Sequence, residues 1–391
     1  MTHDPIITSL IDTDLYKFTM MQCVFHQFRS TEVEYQFQCR KPIDLSGILS
    51  DVQEQITDLC DLRFTQSELN YLNSLPFIHE DFIDYLSDYK PNPHHISLSI
   101  NQNLEIILRG PWLETILFEV PFLAIVSESY YRHYYPQYDL KIAREKLKNK
   151  IQLIKTECEP TAFKFSDFGT RRRFSKAWQK ELIQSFQQEI PQHFIGTSNV
   201  LFAKEFGIKP IGTMAHEYLQ AAQVLAPDLK SSQTFALEKW YQEYQGDLGI
   251  ALTDVLGIDQ FLKEFNQDLS QKYTGVRHDS GDPFQWADKM IAHYQHYGIN
   301  PLEKILVFSD SLTVAKAIEI ERCLKNKAQS LYGIGTHLTN DVGLEPLDIV
   351  IKMTRTNGTV VIKYPDAKGK TICVDDRRLD YLKKALHLKE L

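Results

Sequence analysis

The stretch Gly207 to Gln220, read as GIKPIGTMAHEYLQ, holds the side chain best suited to covalent chemistry. A short apolar run from Lys209 to Gly212 ends at Thr213, and Ala215, Tyr218, Leu219 and Ala222 then fall at helical spacing. That pattern predicts a strand-turn-helix junction with Thr213 as N-cap and His216 in the first turn. The positive end of a helix keeps an imidazole neutral and nucleophilic, and its free N–H groups welcome a phosphoryl group. Taken alone, the stretch is better read as a helix-start histidine that bonds a neighbour, because one histidine is a weak signal.

The weight comes from what surrounds it. From about Thr161 the chain alternates short apolar runs with amphipathic helical patterns. Candidate strands are Phe163 to Ser166, Phe194 to Thr197, Pro210 to Thr213, Gly249 to Thr253, Tyr273 to Arg277, Ile305 to Ser309 and Leu331 to Ile334. Helical patterns between them include Phe174 to Ile190, Ile258 to Tyr273 and Thr313 to Lys325. About seven such units predict an α/β fold with a parallel sheet, closed or nearly closed as an irregular (β/α) barrel. In such folds chemistry gathers where strands run out at their C-terminal ends, and each candidate strand is followed there by a polar cluster.

The residue types narrow the ligand. Phe168 and Arg171 offer a flat face and a forked cation, suited to an aromatic carboxylate, or else a core ring and a surface ion pair. Of the three arginines Arg171 to Arg173, one or two are expected to face a ligand. Gly333 and Gly335 before Thr336 would let backbone N–H groups approach a phosphate, or simply form a turn. Arg277, Asp279 and Ser280 could bind a pyrophosphate and a ribose hydroxyl or magnesium, or form a salt-bridged turn before Pro283. Asp254 could fix the tautomer of His216, as the carboxylate of a triad does, or cap the next helix. Ala367 to Thr371 ends like a phosphate-binding loop, but Tyr364 stands where its leading glycine belongs.

The elements before this region read as a mixed unit. They comprise a helix within Leu10 to Gln22, a strand at Glu32 to Cys39, helices between Leu45 and Tyr89, and a hairpin about Asn101-Gln102-Asn103. An apolar helix, Leu113 to Ser127, follows. After Glu345 strand patterns return at Leu347 to Met353 and Thr359 to Tyr364, and a charged helix, Leu379 to Leu388, follows them. The expected organisation is an α+β unit, residues 1–125 completed by 345–391, and an α/β unit, residues 126–344. With 391 residues, two units are the natural division. A net charge of −8 argues against nucleic acid as a partner. Six scattered cysteines without a CxxC suggest neither a metal site nor a disulfide framework. The acidic start and the lack of a long apolar run lead to the expectation of a soluble, cytoplasmic protein with no membrane partner.

Eight stretches together identify a family. They are TDLYKFTM, DFGTRRRFS, GTSNVLFAKEFG, PIGTMAHEYLQA, SQTFALEKW, VRHDSGDP, FSDSL and YGIGTHLTND, in this order over almost the whole chain. The chain resembles the nicotinate phosphoribosyltransferases, which are type II phosphoribosyltransferases. The resemblance implies an ATP-stimulated condensation of nicotinate with phosphoribosyl pyrophosphate, giving nicotinate mononucleotide and pyrophosphate in NAD salvage, with Mg2+ and with ATP as co-substrate. It implies that His216 is transiently phosphorylated and that Asp254 orients it. It implies that the pyridine lies between Phe168 and Tyr16, with Tyr16 arriving from the second subunit of a homodimer with a shared active site, and that Arg171 meets the carboxylate. By the same resemblance, Thr197 and Ser198 line the substrate pocket. Arg277, Asp279 and Ser280 handle the phosphoribosyl group, and Gly333, Gly335 and Thr336, with Ser309 and Asp310, take the 5-phosphate. Ser198 stands where the amide-using branch carries an aspartate, and an acid there would repel nicotinate.

Overall fold

The computed structural model describes residues 4–159, 162–367 and 369–388. Among them are twelve strands: β1 (Glu32–Cys39), β2 (Ile96–Asn101), β3 (Asn103–Pro111), β4 (Phe165–Asp167), β5 (Phe194–Thr197), β6 (Gln245–Leu248), β7 (Ile250–Leu252), β8 (Gly275–His278), β9 (Ile305–Phe308), β10 (Gln329–Ile334), β11 (Ile349–Thr356) and β12 (Thr359–Val360). Ten or more helices surround them, and no helix among the described residues is long and apolar enough to cross a membrane.

Two sheets organise the molecule. One is antiparallel, in the order β12-β11-β1-β3-β2, and the other is parallel, in the order β5-β4-β10-β9-β8-β7. The parallel strands are short, and their apolar side chains, such as Phe165, Val276, Leu306, Phe308 and Ile334, are buried. Parallel pairing has the consequence that matters: all six strands end on the same edge, and the polar clusters after them converge there. The antiparallel sheet draws a late strand back to the start of the chain. β11 pairs with β1, setting Lys352 opposite Gln36 and Met353 opposite Tyr35.

Six of the seven expected parallel strands are present. The seventh, Pro210 to Thr213, is not a strand but an extended segment joined to β5 by one bridge, Thr197 to Pro210. Proline offers no N–H to a ladder, so only Ile211 N donates back, to Thr197 O at 2.8 Å. Thr213 is held from both sides: Thr19 Oγ1 donates to its carbonyl at 2.6 Å, and its own Oγ1 donates to Ile250 O at 3.1 Å. It therefore does not cap the helix, which runs His216–Leu225 with Ala215 at the N-cap position.

Other boundaries differ for local reasons. The expected helix over Ile258 to Tyr273 is two helices, Ile258–Glu264 and Gln267–Lys272, because Asn266 accepts from Leu269 N and starts the second one. The first helix is Leu15–Gln27, leaving Asp12 and Asp14 outside it. The apolar segment from Trp112 divides into Trp112–Thr115 and Glu119–Tyr134. The hairpin turns at Gln102, which adopts a left-handed φ of 63°.

Candidate active site

His216 is the first residue of its helix and is buried. Its Nε2 lies 2.9 Å from Asp254 Oδ1 and 3.4 Å from Asp279 Oδ2. Asp254 follows β7 and Asp279 follows β8, so two neighbouring strand ends aim carboxylates at one ring. The other oxygen of Asp254 receives Lys363 Nζ at 2.9 Å. Burial, with the nearby charge of Lys363, pushes the pKa of His216 down to about 4. Burial opposes the charge on Asp254, but Lys363 and His216 overcome it and hold that carboxyl well below its ordinary range. The ring is therefore neutral at neutral pH. Its Nε2–H donates to an ionised Asp254, which leaves Nδ1 carrying a lone pair, the tautomer a nucleophilic histidine needs.

A narrow cleft opens beside this ring, lined by Glu119, Arg171, Ala215, His216, Glu217, Gln220, Ile351, Lys352 and Met353. Its floor is ionic. Lys17 is completely buried, with Glu119 at 2.6 Å and Glu217 at 2.9 Å. Burial works against the charge on Glu119, yet Lys17 and Arg171 pull its pKa down to about 2. Arg171 lies 3.7 Å from Glu119 and keeps much of its side chain exposed. Lys352 makes no ion pair within 4 Å among the described residues, and burial, reinforced by Lys363, lowers its pKa to about 7. Four cations, Lys17, Arg171, Lys352 and Lys363, thus gather in a chain of net negative charge, as an anionic ligand needs.

The remaining predicted residues divide into those turned to the site and those used to build it. Asp279 keeps its pKa below the ordinary range although burial opposes it, helped first by His216. Its Oδ1 accepts Ser309 Oγ at 2.8 Å. Arg277 Nε and Ser280 Oγ are buried and without a hydrogen-bond partner, as are Tyr16 Oη and Gln220 Oε1. Orphaned polar atoms of this kind are costly unless a ligand satisfies them. Asp310 is held by Lys370 Nζ at 2.7 and 2.8 Å. Lys370 comes from the stretch that only imitates a phosphate-binding loop; its neighbour Lys368 lies outside the described residues.

Thr197 is not turned to a ligand. It is fully buried and donates to Asp167 Oδ2 at 2.8 Å. Of the three arginines only Arg171 faces the cleft. Arg173 is buried, with both Nη atoms on Asp12 at 2.8 and 3.0 Å and Nε on Glu128 at 2.7 Å. Arg172 binds Asp348 at 3.0 Å. Gly333 is glycine first of all because the ring of Phe168 lies on it: a Cβ there would sit 2.3 Å from Cδ2 and Cε2. Gly335 and Thr336 open a single helical turn, Thr336–Thr339.

Tyr16 lies in a segment anchored within its own chain, where Leu15 N donates to Ser198 O at 2.8 Å. Its phenol is the first influence holding the pKa of Arg171 above the ordinary value. Ser198 is tied to the same segment. Its hydroxyl donates to Asp14 Oδ1 at 2.7 Å, so a carboxyl does stand beside this serine. Burial raises the pKa of Asp14, which favours the neutral acid there. Lys17, Glu119, Glu217, Lys352 and Lys363 were missed by sequence reasoning. A lone cation in a strand pattern is the only signal Lys352 and Lys363 carry.

The comparisons decide the family. The model of the nicotinate phosphoribosyltransferase (NAPRTase) family matches residues 163–390, and that of the NAPRTase N-terminal domain matches residues 11–127. The chain belongs to the nicotinate phosphoribosyltransferase family. It is similar to the nicotinate phosphoribosyltransferase of Burkholderia mallei, with 47% identity over 390 residues and 98% of each chain covered. That of Acidovorax sp. is 48% identical over 395 residues, covering 98% of this chain and 99% of the relative. Among solved structures, nicotinate phosphoribosyltransferase from Vibrio cholerae superposes with a TM-score of 0.95 at 39% identity, over 99% of this chain and 95% of that one. A putative nicotinate phosphoribosyltransferase from Saccharomyces cerevisiae gives 0.92 at 34%, over the full length of both. The protein is an enzyme of this family.

Proposed function

We propose that this enzyme joins nicotinate to phosphoribosyl pyrophosphate, releasing pyrophosphate and nicotinate mononucleotide, and that it couples ATP hydrolysis to the reaction through phosphorylated His216. The observation that carries the reading is the neutral, buried His216 held by Asp254, itself paired with Lys363, at the shared edge of the parallel strands, beside a cleft lined by Arg171 and Lys352. Displacement at an anomeric carbon passes through a cationic sugar. It needs alignment of the attacking nitrogen and stabilisation of the leaving group more than a general base. In this reading Arg171 binds the pyridine carboxylate, Phe168 and Tyr16 flank the ring, and Arg277 with Ser280 binds the phosphoribosyl group. The backbone at Gly335 and Thr336 receives the 5-phosphate. Asp279, with lone pairs left on both oxygens, suits Mg2+, which takes one or two carboxylates beside phosphate oxygens and would neutralise charge on the departing pyrophosphate. Phosphorylation changes the balance between loop conformations if phosphohistidine binds one of them better.

The same reading places the reaction in NAD salvage, in the cytoplasm and in a homodimer. It takes residues 209–213 as the irregular seventh member that closes the parallel sheet into a barrel. It keeps the division into residues 1–125 with 345–391, and 126–344. Asp14 beside Ser198 favours one competing reading, an enzyme of the amide pyridine, and rates with nicotinate and nicotinamide separate the two: comparable rates sink the preference for the acid.

The deciding experiment labels the protein with γ-labelled ATP and maps the modified peptide. Acid-labile, base-stable label on the peptide holding His216 is expected. His216→Ala is expected to lose ATP hydrolysis and ATP stimulation while keeping slow transfer. Hydrolysis at the parent rate in that variant would remove the phosphohistidine from the mechanism.

A further inference from the structure

A second convergence of ligating groups lies outside the cleft. His26 lies in the last turn of the first helix, His79 precedes the helix Glu80–Ser87, and Glu243 lies near the end of the helix Ser232–Tyr244. One ligand atom of each lies within 4.8 Å of the others. His26 Nδ1 is 2.6 Å from Glu243 Oε1, and His79 Nδ1 is 3.9 Å from the same oxygen. The two imidazole rings stand 5.3 Å apart, centre to centre.

We propose that His26, His79 and Glu243 form a binding site for a divalent transition-metal ion of the zinc class. Three features point beyond an ordinary ion pair. The far nitrogen of His26, Nε2, is 3.1 Å from Asp81 Oδ2, the arrangement by which a carboxylate fixes the tautomer of a metal-bound imidazole. Glu243, only 5% exposed, is held in place by Gln22 Nε2 at 3.1 Å and Gln27 Nε2 at 3.4 Å. Gln22 also accepts from His79 N at 2.8 Å, so the same residue positions two of the three ligands. His79, at 48% exposure, faces the shared oxygen without a hydrogen bond to it, and solvent has access from its side. Zinc at about 2.0–2.2 Å from each donor sets tetrahedral donor atoms roughly 3.3 Å apart, between the two separations observed. Two imidazoles and one carboxylate, with the fourth position left to water, suit zinc and cobalt far better than magnesium or calcium.

The site would clamp the first helix to the helix Ser232–Tyr244. The first helix carries Tyr16 and Lys17 at its other end, so the ion would brace the cleft from outside. The test uses the full-length protein, stripped of metal and titrated with Co2+ and Zn2+. One equivalent of Co2+ with the strong visible bands of a four-coordinate ion is expected, together with a rise in thermal midpoint on adding Zn2+. His79→Ala, on the exposed rim, is expected to fold as the parent does and to lose both effects, as is Glu243→Gln. Absence of stoichiometric binding in the parent overturns the proposal. So does binding that survives His79→Ala but disappears in Asp279→Asn, which would place the ion beside His216.

Discussion

At the residue scale the protein turns on how burial sets charge. His216 is neutral because a buried imidazolium beside Lys363 is costly, even with two carboxylates close by. The stability consequence has a definite sign. The folded pKa, about 4, lies below the ordinary 6.5, so the unfolded chain binds the extra proton. The stabilisation is complete above pH 6.5 and is lost as the pH falls from there through 4. Urea midpoints of the parent should therefore drop more steeply between pH 7 and 4.5 than those of His216→Gln. Parallel curves would show that the ring does not feel its burial. Lys352 makes ligand binding depend on pH. Its pKa of about 7 means that it is charged below neutrality and loses its charge as the pH rises. Lys352→Met is expected to raise the KM for phosphoribosyl pyrophosphate about tenfold at pH 6.5, since one charge-assisted hydrogen bond contributes about 1.5–3 kcal/mol. The variant should also flatten the rise of KM with pH through 7, and an unchanged KM–pH profile would place Lys352 outside the binding set.

At the scale of elements, side chains from separate segments are brought together by strand register. β10 and β4 pair with Gly333 opposite Ser166, and this lays Phe168 across Gly333 at the end of the sheet. A methyl group at 333 would meet that ring at 2.3 Å, so one of the two must shift. Gly333→Ala is expected to cost about 1–3 kcal/mol in denaturant unfolding, the range for overpacking, and to weaken pyridine binding as Phe168 shifts. Stability within 0.5 kcal/mol of the parent, roughly the spread of neutral surface changes, would mean that the ring moves freely. The same register logic explains why only Arg171 of the three arginines serves the cleft. The single 3-10 turn Thr170–Arg172 sends successive side chains in different directions, and Arg173 ends up bound to Asp12 and Glu128 in the core.

At the scale of the whole molecule, the late strands complete both the fold and the site. β11 covers β1, whose Val33, Tyr35 and Phe37 are buried, and it delivers Lys352, while the segment after β12 delivers Lys363 to Asp254. A chain ending at residue 344 is expected to lose cooperative unfolding, since it would expose the long edge of β1 and leave Asp254 buried without its lysine. A sharp, single thermal transition in that truncated chain would show that the antiparallel sheet is dispensable.

Much of this was legible in the sequence. The alternation of short apolar runs and helices specified a parallel α/β sheet, and polar clusters after each run marked its functional edge, because burial of both sheet faces leaves only strand ends for polar residues. Type and position singled out His216, Asp254, Arg171, Arg277 and Asp279, and the structure brings His216, Asp254 and Asp279 together. What only the tertiary structure decided is which polar residues are spent on one another. Thr197 on Asp167, Arg173 on Asp12 and Ser198 on Asp14 look like ligand groups in a string of letters and are structural partners in space. Lys352 and Lys363 look like solvent-facing strand residues, yet Lys363 is buried on Asp254 and Lys352 is half-buried in the cleft with His216 and Arg171. Local periodicity encodes secondary structure, which is a short-range property. Pairing of charges across more than a hundred residues depends on how the sheets bring distant segments together, and no local pattern carries that information.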